Sequence, residues 1–138
     1  MAKKRKNLWK EAERAAEHLA VHKFGCILTR RSIRTMWQKV DFFGADVVGK
    51  KPDGSHVYIQ VTSGQAPAVS QRKRKLEKVP WHETDTVVLA QYVSTRSEID
   101  LRRYARTFHL WELKNGEWMK LEDVLVPTEW TKPYNVAR

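Results

Sequence analysis

Cysteine is nearly absent. Cys26 is the only one among 138 residues, so the chain can build neither an internal disulfide framework nor a multi-cysteine zinc site. A lone thiol suits a reducing compartment. Long hydrophobic runs are missing too: no apolar stretch approaches the roughly 20 residues of a membrane span. The basic start Lys3, Lys4, Arg5, Lys6 is not followed by the apolar segment of a secretory signal. A cytoplasmic protein that neither spans a membrane nor is exported is expected. Acidic residues are in short supply, with 16 Asp and Glu against 26 Lys and Arg, a formal charge of +10. That excess points to a polyanionic partner. The cations recur along the whole chain rather than lining one amphipathic face, which argues against a membrane-surface segment. Repeats and low-complexity stretches are also lacking. What is present is core-forming: 41% hydrophobic residues, with six Trp, four Tyr and four Phe. This is enough for one folded domain, expected over 1–138 with a basic arm at 1–7 and a loose tail at 127–138.

Hydrophobic spacing predicts a helix from Leu8 to Lys23, with Leu8, Ala12, Ala15, Ala16, Leu19 and Ala20 on one face. Gly25 breaks it, and Cys26 to Thr29 reads as a first strand. Arg30 to Lys39 has no period and reads as a loop or ragged strand. Gly44 to Val48 and Val57 to Thr62 read as adjacent antiparallel strands joined through the turn-rich Lys50–Gly54. Pro67 opens a basic second helix to Lys78. Thr86 to Val93 follows as a buried strand. Thr95 and Glu98 form a capping box for a third helix to Ala105. Phe108 to Leu113 and Glu117 to Leu121 flank Asn115-Gly116 as a hairpin. The expected fold class is α/β, a mixed β-sheet flanked by helices on both faces.

Alternation places Ile59 and Val61 on one face of their strand and Tyr58, Gln60 and Thr62 on the other. Asp46 sits among Ala45, Val47 and Val48. A carboxylate in an apolar strand costs several kcal/mol unless partnered, about 2–7 by transfer measurements on polar groups and more for a charge. Paired strands would lay Asp46 beside Gln60, with Thr62 at the edge. Two uses fit. Asp46 can pair with a nearby Arg or Lys while Gln60 and Thr62 line a solvated face. Alternatively, carboxylate, amide and backbone oxygens form a hard-cation site for Mg²⁺ or Mn²⁺ beside phosphates.

These residues also carry a resemblance. A helical Glu, an Asp in an apolar strand and an acid-or-amide motif in the next strand resemble the PD-(D/E)xK nuclease superfamily. Within it, the chain is most similar to archaeal-type Holliday junction resolvases, in particular a phage and prophage group with a Gln-Val-Thr third motif. The matching segments are Asp41-Phe42-Phe43-Gly44-Ala45-Asp46, then Gln60-Val61-Thr62-Ser63, then Arg72 with Lys75. Trp111 and Trp118 around Asn115-Gly116 look like that group's closing segment. The likeness spans roughly residues 11 to 121 and is most specific between 41 and 76.

The resemblance implies a restriction-endonuclease-like fold, Mg²⁺-dependent hydrolysis of DNA phosphodiesters, branched substrates such as four-way junctions, and a homodimer. It implies a bacterial or phage-infected cell. Asp46 would be the central metal ligand, helped by the Val61 carbonyl, Gln60 and Glu13; Glu11 and Glu17 rival Glu13 as the helical carboxylate. Asp41 would add negative charge. The chain departs from the family in reading Gln60-Val61-Thr62 where Glu-x-Lys is usual. A neutral amide holds the ion more weakly, and Thr62 cannot act as a lysine. Lys75, Lys73 or Arg72 from the next helix would then supply the missing cation at the phosphate.

Backbone contacts are expected from Lys3, Lys4, Arg5 and Lys6, from Arg30, Arg31 and Arg34, and from Arg72, Lys73, Arg74 and Lys75, which position DNA rather than read it. A solvated face is the alternative for each run, as good a reading as DNA contact for Lys3 to Lys6 and a weaker one for Arg72 to Lys75, next to the proposed site. Trp37 and Trp81 could stack on bases, though packing explains any single Trp. His18 and His22 read as a helix-surface pair, and Cys26 as a strand core residue. Two other functions compete with the nuclease: a catalytically impaired DNA-binding protein on the same fold, and a basic RNA-binding module, for which no motif is present.

Overall fold

The structure, a computed structural model, describes residues 2–34, 39–96 and 104–132. The chain is mixed α/β. Helix α1 (Ala2–His22) is followed by β1 (Leu28–Arg31), β2 (Ile33–Arg34), β3 (Lys39–Val40), β4 (Val47–Lys50) and β5 (His56–Thr62). Helix α2 (Ala66–Glu77) leads to β6 (Thr86–Arg96), β7 (Tyr104–Lys114), β8 (Glu117–Lys120) and β9 (Val124–Leu125), then a 3₁₀ turn at Thr128–Thr131. The main sheet runs β1-β4-β5-β6-β7-β8, with β9 also on β7, and β2 with β3 forms a separate pair. Only β5 and β6 run parallel among these pairings. A parallel pair needs a crossover, and α2 is it.

The two helices cover opposite faces because strand side chains alternate. Val88, Ala90 and Tyr92 of β6 join Val57, Ile59 and Val61 of β5 in a core beneath α1. Val87 and Leu89 point the other way, to Val69 and Leu76 of α2. Among the described side chains of α1, four of the five buried apolar ones are alanines, Ala12, Ala15, Ala16 and Ala20. Small side chains bring the helix close to the sheet. Packing is also tight where the chain enters β1: a Cβ at Gly49 would run into Cys26 Sγ and would lie 3.5 Å from Ala20 Cβ of α1. Cys26 is buried as expected, but ahead of the strand rather than in it, because β1 runs Leu28–Arg31 and not Cys26 to Thr29. Pro67 sits in the first turn of α2, where its missing N–H costs nothing.

Several expectations are corrected. Helix α1 begins at Ala2, so Lys3 to Lys6 lie within the helix rather than on a separate arm. The segment from Arg30 contains the end of β1, β2 and β3, while residues 35–38, with Trp37, lie outside the described residues. Strand β4 starts at Val47, not Gly44, because Phe42 to Ala45 make a tight turn. The third helix is overturned where it is described: Thr95 pairs with Ala105 and Arg96 with Tyr104, so β6 and β7 form one long hairpin. Residues 97–103 lie outside the described residues. A local capping signal is outweighed here by ten consecutive cross-strand pairs. The loose tail is corrected over 127–132, while residues 133–138 lie outside the described residues. Trp130 is buried against α1, and Arg14 donates through Nη2 to the Thr131 carbonyl at 3.0 Å.

No helix among the described residues is long and apolar enough to cross a membrane.

Candidate functional site

The turn before β4 determines where Asp46 goes. Phe43 and Gly44 both take positive φ, 58° and 95°, between the bridged residues Phe42 and Ala45. Two positive φ values in succession characterise a type I′ turn. The Gly44 N–H donates to Asp41 Oδ1 at 3.2 Å, so Asp41 braces the turn. Beyond it, Asp46 is 1% exposed. Its own N–H donates to the Ile59 carbonyl. The β4–β5 ladder ends at Val47 and Ile59. Past that point the Val61 N–H donates to Asp46 Oδ2 at 3.0 Å. The carboxylate thus takes over from the ladder where the strands separate.

Gln60 lies alongside. Its Nε2 donates to Asp46 Oδ2 at 2.9 Å and to the Val61 carbonyl at 3.2 Å. Asp46 and Gln60 therefore meet, as alternation and strand pairing predicted, and the Val61 backbone joins them. The amide nitrogen stands where two oxygens converge, the position a cation would take. Oxygen and nitrogen of such an amide are assigned from the hydrogen-bond pattern, and a half-turn exchanges them. With Oε1 forward, the set becomes one carboxylate, one amide oxygen and one carbonyl, all hard donors suited to Mg²⁺. Among the described residues no cluster of three His, Cys, Asp or Glu side chains forms, so any cation depends on these neutral oxygens.

The three helical glutamates part company. Glu11 is engaged structurally: it accepts from Tyr92 Oη at 2.6 Å and Arg106 Nε at 3.0 Å. That bond and burial hold the Tyr92 hydroxyl well above its usual pKa, burial being the larger cause. Glu17 accepts from Thr29 Oγ1 at 2.6 Å and pairs with Arg31 Nε at 2.5 Å. Glu13 is 5% exposed and faces Ser32 Oγ at 3.5 Å. Ser32 in turn donates its N–H to the Asp46 carbonyl at 2.6 Å. One serine thus links Glu13 to the Asp46 backbone.

Glu13, Glu17 and Ser32 line an open groove of about 1030 Å³ whose cations are Lys10, Arg14, Arg30, Arg31 and Lys50, joined by His56. Arg30 and Arg31 were anticipated as backbone contacts. Lys10, Arg14, Lys50 and Ser32 were missed, because they assemble from α1, the end of β1 and β4. Register supplies the only clue: Leu28 pairs with Lys50 and Arg30 with Val48.

Other candidates are placed differently. Thr62 is buried and its Oγ1 accepts the Gly64 N–H at 3.1 Å. Lys73 lies over Trp111 at 4.6 Å and Trp118 at 5.7 Å, while Trp118 Nε1 donates to Glu77. That tryptophan pair clamps α2 onto the β7–β8 hairpin. Lys75 and Arg74 are exposed and Arg72 is half-buried. The side chains of Lys3, Lys4, Arg5, Lys6 and Arg34 lie outside the described residues. His18 is not a surface residue: it is buried, and Trp130 stacks on both His18 and His22 at 5.8 and 5.4 Å. Burial, and then His22, hold the His18 pKa below its usual value. Trp81 packs on Tyr58 at 4.8 Å and donates Nε1 to the Leu76 carbonyl.

No family model, curated protein or solved structure matches the chain.

Proposed function

We propose that this protein is a divalent-metal-dependent endonuclease acting on branched DNA, similar to Holliday junction resolvases and working as a homodimer in the cytoplasm of a bacterial or phage-infected cell. The observation that carries the reading is the convergence of Asp46 Oδ2 and the Val61 carbonyl on the Gln60 amide, linked through Ser32 to Glu13, which with Ser32 lines a cation-rich groove. Buried oxygens beside a basic groove are what a phosphodiester and a hard cation both require.

Asp46, the Val61 carbonyl and Gln60 Oε1 would hold Mg²⁺ or Mn²⁺, with Glu13 as the second carboxylate. When bound, such an ion acidifies coordinated water and neutralises phosphate oxygens. The chain does the rest. Lys10, Arg14, Arg30, Arg31 and Lys50 bind the sugar-phosphate backbone. Thr62 holds the turn after β5 and does no chemistry, which leaves the cationic role at the phosphate to the groove residues or to Lys75.

One observation favours a second reading. Gln60 Nε2 already satisfies Asp46 Oδ2, and no lysine stands at position 62, an arrangement suited to a DNA-binding protein without hydrolysis. A labelled four-way junction incubated with Mg²⁺ or Mn²⁺ separates the two. Metal-dependent nicking by the native chain, abolished in Asp46→Ala, is expected. Tight binding without metal-dependent nicking favours the second reading. Preference for RNA with no effect of Asp46→Ala would point instead to an RNA-binding module.

A further inference from the structure

Among the described residues, two turns place positive φ on two consecutive residues. At the β7–β8 turn they fall on Asn115 (52°) and Gly116 (77°), the residues such a turn prefers. At the turn before Asp46 they fall on Phe43 (58°) and Gly44 (95°). A bulky aromatic in left-handed conformation is a steric outlier. Burial does not compensate for it, since Phe43 is 67% exposed. Asparagine would fit the backbone better and expose less apolar surface.

The ring is nevertheless held in place. Phe43 meets Tyr58 at 6.3 Å and 68° and Trp81 at 6.3 Å and 90°, both edge-to-face, while Tyr58 and Trp81 pack on each other. A Cβ added at Gly44 would come within 3.7 Å of Leu76 Cδ2 on α2, so the turn faces that helix. A strained, oriented and largely uncovered ring, three residues before Asp46, is a stacking surface beside the site. Local strain of this kind is characteristic of functional positions. The groove reaches this cluster: His56, which lines it, is in ring contact with Tyr58 at 5.9 Å.

Resting on the nuclease reading, we propose that Phe43, backed by Tyr58 and Trp81, stacks on an unpaired DNA base next to the scissile phosphate. The ring recognises disrupted duplex, and the groove cations hold its backbone. Base–aromatic stacking is tolerant of sequence because every base has a π-face. The preference is therefore for an open base of any identity.

The test measures binding in EDTA, so that nothing is cut, using a duplex with one unpaired 2-aminopurine and the same duplex fully paired. The native chain should bind the unpaired probe on the order of tenfold more tightly and change its fluorescence. Phe43→Asn should lose that preference and the fluorescence change while keeping its affinity for paired duplex. Its melting temperature should hold or rise, because the turn is relieved of strain. A packing role would instead lower it. Phe43→Leu, which keeps apolar bulk without a π-face, should behave like Phe43→Asn in binding. Retained preference in either variant, or equal weakening on both probes, overturns the proposal. So does a change of oligomeric state in sedimentation, which would make Phe43 a contact between copies. A native chain that binds both probes equally sinks the stacking proposal alone; one that binds neither at low salt sinks the nuclease reading with it.

Discussion

Replacing Asp46 should separate its structural work from its chemical work. In Asp46→Ala two buried donors lose their acceptor, Gln60 Nε2 and the Val61 N–H. Gln60 retains the Val61 carbonyl at 3.2 Å and is partly compensated. The Val61 N–H is fixed by the β5–β6 ladder and cannot turn away. Leaving one buried donor unsatisfied costs about 1–3 kcal/mol, and weakening the second adds about 1. The sum of about 2–4 kcal/mol lowers the melting temperature by roughly 6–15 °C for a chain of this length. Asp46→Asn keeps an oxygen for both donors and loses only the charge assistance, about 1 kcal/mol. Release of a buried charge narrows that loss further. Both variants should fail to nick junctions. Mg²⁺ at a hundredfold excess over its Kd should raise the native melting temperature by the equivalent of about 2.7 kcal/mol, and neither variant should respond. Thermal denaturation by circular dichroism, with and without Mg²⁺, reads all of these quantities. An alanine variant that melts within about 2 °C of the native chain, or an asparagine variant that Mg²⁺ still stabilises, would refute the assigned geometry.

Among the helical carboxylates, Glu11→Gln should lower stability by about 1–2 kcal/mol through its bonds to Tyr92 and Arg106, yet leave nicking per folded molecule intact. Glu13→Gln should do the reverse, as melting curves and junction assays on the two variants can show. The buried His18 binds its proton more weakly folded than unfolded, so its contribution is fully present above the unfolded value of 6.5 and is lost as pH falls below it. Urea titrations between neutral and mildly acidic pH should show this acid-side loss, and His18→Phe should flatten it; an unchanged profile would exclude His18 as its source. Alanine at Lys10, Arg30 or Lys50 should each reduce the slope of log affinity against log salt by about 0.9, as fluorescence anisotropy on labelled DNA can measure.

The strands of the site were legible because their signals are local. Alternation in Tyr58 to Thr62 put Gln60 and Asp46 on one side, and the Asn115-Gly116 turn announced its hairpin. The third helix was misread because Thr95 and Glu98 form a local capping pattern, while the β6–β7 pairing depends on partners from 8 (Arg96 and Tyr104) to 26 (Val87 and Leu113) residues away. Trp130 gave no sign of its place, since its stacking partners on α1 are more than a hundred residues earlier in the chain.

From the sequence alone follow the excess of positive charge, the α/β class, and an acidic group that could not be buried without partners. Those are properties of composition and of spacing within one element. Tertiary structure alone decided which glutamate faces Ser32 and which is tied to Tyr92, that Lys73 is held over two tryptophans, and that Arg30 and Lys50 share a groove. Such choices turn on helix rotation and strand register, where a shift of one residue moves a side chain to the opposite face.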